Sequence, residues 1–159
     1  MYKKPGCLVL IMPLIYLDVC CLNRPFDVQE QERIRLETEA ILLILERCHT
    51  AEWELLTSEV IDVELAQIID PERKQGIEIL TSIAKSKVEL NETIQNRAIV
   101  LQGLGIKFFD SLHIACAEVG KADVMLTVDY RLLRKTANSQ QNLATIVANP
   151  VTWLMEVSE

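Results

Sequence analysis

Apolar residues in this chain fall into short runs that alternate with helical stripes. Ile15-Tyr16-Leu17 is an apolar run cut off by Asp18, the pattern of a central parallel strand covered on both faces. A turn at Asn23-Arg24-Pro25-Phe26-Asp27 follows, with Asp27 a candidate N-cap, and the spacing then predicts a long helix over 28–48. Ile34, Ile41, Leu45 and Cys48 share one stripe of that helix. Glu30 and Glu32 at its start and Arg47 and His49 at its end suit the helix dipole, while Leu42 and Leu43 lie off the stripe and suggest a second covered side.

Residues 54–57 read as a second strand, and Ser58 caps a helix to about 69 that Asp70-Pro71 breaks. A helix over 71–86 leads to a strand at 88–90, and Asn91 caps a helix over 92–104. A loop at 105–109 then brings Asp110 to the start of a helix over 111–119. A strand at 123–126 ends in Thr127-Val128-Asp129, a helix runs to 137, a last strand covers 143–147, and Asn149-Pro150 opens a helical turn to 155. Strands alternating with helices across short loops predict a parallel sheet with helices on both faces, a three-layer α/β/α sandwich. In such sheets sites form outside the carboxyl ends of the strands.

The 159 residues, half of them hydrophobic, suffice for one core, so the expected organisation is an N-terminal extension over 1–13 and a single domain over 14–157. A net charge of −7 removes the basic footprint of sequence-independent nucleic-acid binding, so a polyanion would have to be received by local cations. The five cysteines, odd in number and without a CxxC, read as reduced thiols of a cytoplasmic protein. Lys3-Lys4 before CLVLIMPLIYL resembles a signal peptide, but Pro13 interrupts the run, Asp18 ends it and no cleavage site follows. The run also falls short of the about 20 residues a membrane span requires.

Four acids stand at predicted strand-to-helix handovers: Asp18, Glu64, Asp110 and Asp129. Asp18, Asp110 and Asp129 could each serve as an ordinary helix cap. Glu64, between Val63 and Leu65 with Ile61 and Ile68 on its face, sits at an apolar edge where a functionless carboxylate is costly. Gathered on one rim the four would repel, and a hard divalent cation relieves that repulsion. Phosphate-loop, dinucleotide and GxSxG nucleophile motifs are absent, as is the DxDxT of a phosphoaspartate phosphatase. His113, three residues after Asp110, forms either a D-x-x-H metal pair or a hydrogen-bonding or packing contact. Thr127 either positions water or phosphate or merely packs, and Arg24 either meets a substrate phosphate or is solvated.

At these residues the chain resembles the PIN domain, the nuclease fold of VapC-type toxins. The resemblance covers Ile15 to Met155: an apolar strand ending in Asp18, the S-x-x-x-x-x-E of Ser58 to Glu64, the D-x-x-x-I-A-x-A of Asp110 to Ala117, and the T-x-D of Thr127 to Asp129. It implies a central five-stranded parallel sheet, Mg²⁺ or Mn²⁺ at the acidic rim, endonucleolytic cleavage of RNA, homodimerisation, and a cognate antitoxin if the protein is a type II toxin. On that basis Asp18 and Asp110 are direct metal ligands, Glu64 and Asp129 bind a second ion or metal-bound water, and Thr127 and Arg24 contact substrate. The chain departs from the family in carrying Val19, Cys20 and Cys21 where a Ser or Thr usually follows the first acid. A PIN-like protein- or RNA-binding module with little turnover is the other reading, and retention of all four acids favours the enzyme.

Overall fold

The computed structural model describes residues 12–158. The sheet has five parallel strands in the order β3-β2-β1-β4-β5, with β1 at Leu14–Leu17, β2 at Glu54–Ser58, β3 at Ser86–Val88, β4 at Val124–Leu126 and β5 at Ile146–Ala148. The central strand pairs on both edges, Ile15 lying beside Leu55 on one side and Val124 on the other. Its apolar run is fully covered, as a strand between two helical layers must be. Each buried large side chain there is worth about 1.5–3 kcal/mol.

Eight α-helices surround the sheet among the described residues: α1 (Val19–Asn23), α2 (Glu32–His49), α3 (Glu59–Leu65), α4 (Pro71–Thr81), α5 (Glu92–Gln102), α6 (Phe108–Val119), α7 (Tyr130–Asn138) and α8 (Pro150–Val157). Helices α2 and α8 pack together, with Trp53 against Trp153 edge to face at 5.2 Å between ring centroids, while α5 and α3 pack on α6. The architecture is a PIN-like three-layer sandwich.

Several local expectations need correction. The chain turns helical at once after Asp18, forming α1 and a 3₁₀ turn at Arg24–Phe26, so the long helix starts at Glu32 and not near Val28. Asp27 is not the N-cap of that helix; its N–H closes the 3₁₀ turn on the Arg24 carbonyl and its carboxylate is held by Arg24 and Arg73. Asp110 does not open its helix either, because Lys107 takes the cap position and Asp110 sits in the first turn of α6. Ser58, Asn91 and Asn149 do cap α3, α5 and α8 through side-chain oxygens. Most of the expected extension, residues 1–11, lies outside the described residues, whereas the Pro13 carbonyl accepts the Glu54 N–H at 3.1 Å.

Strands one to three build outward in one direction from β1 and strands four and five in the other, so the order reverses between β1 and β4. That reversal leaves a crevice at their carboxyl ends, where neither crossover covers the sheet. Asp18 leaves β1 and Thr127 leaves β4 at this point.

Gly120, at the end of α6, is required by close approach: an added Cβ would collide with Leu56 and stand 3.0 Å from Val88 Cγ2 and 3.2 Å from the Cys116 carbonyl. Gly120→Ala is predicted to destabilise the fold by about 1–3 kcal/mol through overpacking, measured by chemical denaturation.

Candidate metal centre

The structure brings the four acids to one rim. Asp18 is buried and its Oδ1 accepts the Cys21 N–H at 2.9 Å, capping α1. Its Oδ2 is equally enclosed and makes no hydrogen bond. An orphaned buried carboxylate oxygen is expensive unless a cation meets it. Burial pushes the Asp18 carboxyl up from its ordinary 3.8, an effect offset by the Thr127 hydroxyl, the His113 ring and the Cys21 N–H, and reinforced by the charge of Glu64.

Asp110 faces the same space from the first turn of α6. Burial, then the charges of Asp18 and Asp129, push it up to about 6, with a smaller contribution from Glu64. Cys20 reports the convergence independently: after burial, the charges of Asp18, Asp110, Asp129 and Glu64, in that order, raise its thiol. Asp129 is also a cap, its Oδ1 accepting the Arg131 N–H at 2.9 Å and the Leu132 N–H at 3.3 Å. Thr127 is buried and its Oγ1 accepts the Asp129 N–H at 3.1 Å, which fixes the turn between β4 and α7.

Glu64 reaches the rim from α3 but its Oε1 is paired with His113 Nε2. His113 is buried and its Nδ1 is bound to the Tyr16 hydroxyl at 2.6 Å, so both ring nitrogens are engaged and the D-x-x-H metal pair does not form. Among the described residues no three His, Cys, Asp or Glu side chains are drawn together closely enough to enclose one ion in this conformation. The donor chemistry nevertheless fits a hard cation: an unpartnered buried Asp18 oxygen, with Asp110 held against its neighbours' charge.

A cleft of about 380 Å³ opens beside Asp129, lined by Cys20, Asn23, Arg24, Asp27, Arg73 and Val128. Arg24 is not the solvated turn residue that one sequence reading offered; its side chain is 13% exposed, 3.2 Å from Glu37 Oε1 through Nε, and donates from Nη1 to Asp27 Oδ2 at 3.1 Å. Arg73, which the sequence did not single out, donates from Nη1 to Asn23 Oδ1 and Asp27 Oδ1 and from Nη2 to the Phe26 carbonyl. Asp27 therefore clamps two guanidinium groups at the wall of the cleft. Glu37, buried on α2, anchors this wall and also accepts from Asn149 Nδ2 at 2.8 Å. One signal for Glu37 was present in the sequence, since it lies four residues before Ile41 on the apolar stripe.

Exposed apolar surface lies elsewhere. Leu42 and Leu43 on α2 are 44% and 37% exposed, and a groove of about 440 Å³ runs between α3, α5 and α6 with Val63, Ile99 and Phe108 at its lip. Of the four described cysteines, all free, Cys21, Cys48 and Cys116 are buried while Cys20 faces the cleft. No helix among the described residues is long and apolar enough to cross a membrane.

The five-stranded parallel sheet between helical layers is PIN-like, and a solved structure shares that fold. A chain of VapBC2 from Rickettsia felis, in a crystal structure bound to a DNA fragment from their promoter, superposes with a TM-score of 0.56 over 86% of this chain and 98% of that one. Sequence identity is 14%, so the likeness is one of fold. No family model matches the sequence, and no curated protein matches it either.

The raised carboxyl of Asp110 has a pH signature. A native group titrating near 6 in place of 3.8 contributes stability that is present below about pH 4 and lost as the pH rises through about 6. Without metal, Asp110→Asn is predicted to be more stable than wild type at pH 7 by roughly 1–2 kcal/mol after allowance for solvent screening, and the difference should vanish near pH 4. Thermal denaturation across that range in the presence of chelator measures it.

Proposed function

We propose that the protein is a metal-dependent endoribonuclease, with the acidic rim holding Mg²⁺ or Mn²⁺. The observation that carries this reading is Asp18 Oδ2, buried without a partner at the point where the strand order reverses, with Asp110, Asp129 and Glu64 near enough to act with Asp18 on the Cys20 thiol. The PIN-like fold supports it. Asp18 and Asp110 would hold the ion directly, and Glu64 and Asp129 would hold its waters or a second ion. The chemistry that a divalent cation held there would supply is a water acidified for attack on phosphorus and a positive charge against the departing oxygen.

The protein's own groups do the rest. Thr127 fixes the backbone of Asp129 and so the orientation of that carboxylate toward the rim. Arg24 and Arg73, preorganised by Asp27, present guanidinium groups at the cleft wall, where a backbone phosphate next to the scissile one would lie. Asp27 and Glu37 balance the two guanidinium charges, so the overall charge of −7 is left for a bound cation to offset before a polyanion approaches.

The biological setting in this proposal is the toxin of a toxin–antitoxin pair in the cytoplasm, acting as a homodimer. The exposed Leu42 and Leu43 and the groove between α3, α5 and α6 supply apolar surface for a second copy or an antitoxin. A second reading, a PIN-like binding module with little turnover, is favoured by one observation: Glu64 is engaged by His113.

Cleavage of a mixed RNA pool separates the two. Wild type is predicted to cut RNA with Mn²⁺ and not with chelator, and Asp18→Asn and Asp110→Asn should each lower the rate by more than about 100-fold. Arg73→Ala should raise KM several-fold with a smaller change in kcat. Equal cleavage by wild type and Asp110→Asn, or none by either with metal bound, would leave the binding module standing.

A further inference from the structure

Three of the four acids are delivered by elements that also share one buried hydrogen-bond chain. Ser58 Oγ lies 2.7 Å from the Tyr16 hydroxyl, Tyr16 lies 2.6 Å from His113 Nδ1, and His113 Nε2 meets Glu64 Oε1. Tyr16 is in β1, two residues before Asp18. Ser58 ends β2 and caps α3, the helix that carries Glu64. His113 is one turn after Asp110 on α6. From these juxtapositions we infer that Tyr16, Ser58 and His113 are positioning residues that set the registry of Asp18, Glu64 and Asp110 on the rim, a role that rests on the metal-site reading above.

The chain has a definite polarity. An ionised Glu64 can only accept, so His113 Nε2 donates to it, and in the neutral ring Nδ1 accepts from the Tyr16 hydroxyl. Tyr16 oxygen then accepts from Ser58, whose Oγ in turn accepts the Ile61 N–H at 3.4 Å. The side-chain polar atoms of Ser58, Tyr16 and His113 are all satisfied within the protein. Ser58, Tyr16 and His113 are each no more than 2% exposed, so sliding β1, α3 or α6 against the others would leave a buried donor or acceptor unpaired. Such a network has one low-energy arrangement, whereas apolar packing of the same elements tolerates small slips. Asp129 lies outside the frame and is held separately, by its own cap and by Thr127.

Tyr16→Phe removes one hydroxyl and keeps the ring, so it opens the chain at its middle with little change in shape. Ile15→Val, a buried neighbour on the same strand facing away from the chain, serves as the packing control. Mn²⁺ affinity of the metal-free protein, measured by titration calorimetry well below each variant's Tm, is predicted to fall roughly 10- to 100-fold in Tyr16→Phe, the cost typical of losing an outer partner of a metal ligand, and to stay within about twofold in Ile15→Val. The ¹⁵N resonances of the His113 ring should report an accepting Nδ1 in wild type and shift in Tyr16→Phe. Unchanged Mn²⁺ affinity in folded Tyr16→Phe, with wild type binding normally, would overturn the frame and leave the metal site intact. Absence of Mn²⁺ binding by wild type would overturn the metal site and the positioning role together. An equal loss in Ile15→Val would reduce the effect to general stability and overturn the proposal.

Discussion

A carboxylate at the exit of a strand buried on both sides governs this molecule. Asp18 must follow Ile15-Tyr16-Leu17 because β1 is central, and a central strand delivers its next residue into the interior crevice and away from solvent. One of its oxygens is spent on capping α1; the other has nothing to bind. Around that carboxylate Glu64 adds negative charge and Asp110 and Asp129 stand close by, while the Thr127 hydroxyl, the His113 ring and the Cys21 N–H offset only part of the cost of burial. The fold thus maintains an arrangement whose cost falls only when positive charge is present, a local conflict of the kind tolerated at functional sites.

The protein meets that cost with rigid neighbours. On one side the Ser58, Tyr16, His113 and Glu64 chain ties β1, α3 and α6; on the other, Asp27 and Glu37 tie α2, α4 and the 3₁₀ turn through Arg24 and Arg73. The two sets flank the crevice, and in the second the guanidinium groups are balanced by the carboxylates that hold them. Acids sit where a cation is wanted, and guanidinium groups sit at the cleft wall, where an anion can approach. An acidic protein can in this way present a site for a polyanion, since the field within a few ångströms is set by the nearest charges and the distant ones are screened.

Much of the site was legible because it lies in local pattern. A continuous apolar run ended by an acid is the mark of a buried parallel strand, and the caps at Ser58, Asn91 and Asn149 follow from side chains that compete for the first N–H groups of a helix. The start of α6 was misplaced because Gly105 suggested a longer loop, although Phe108 already occupies a helical turn. Helix α1 was missed since five residues carry too little periodicity to register. Long-range partners left no trace: Tyr16 and His113 are 97 positions apart, and Arg73 reaches Asp27 from 46 positions away. His113 shows the consequence: its spacing from Asp110 left a metal pair or a hydrogen-bonding role open, and only the folded topology supplies the Tyr16 and Glu64 partners that settle it.

The central claim is that the rim accepts a divalent cation at Asp18. Anomalous diffraction from crystals grown with Mn²⁺ tests it most directly. The account predicts a peak within coordination distance of Asp18 Oδ2 and an Asp110 oxygen, lost in Asp18→Asn. A well-ordered rim with no peak at saturating Mn²⁺, or a peak bound without Asp18, would contradict it.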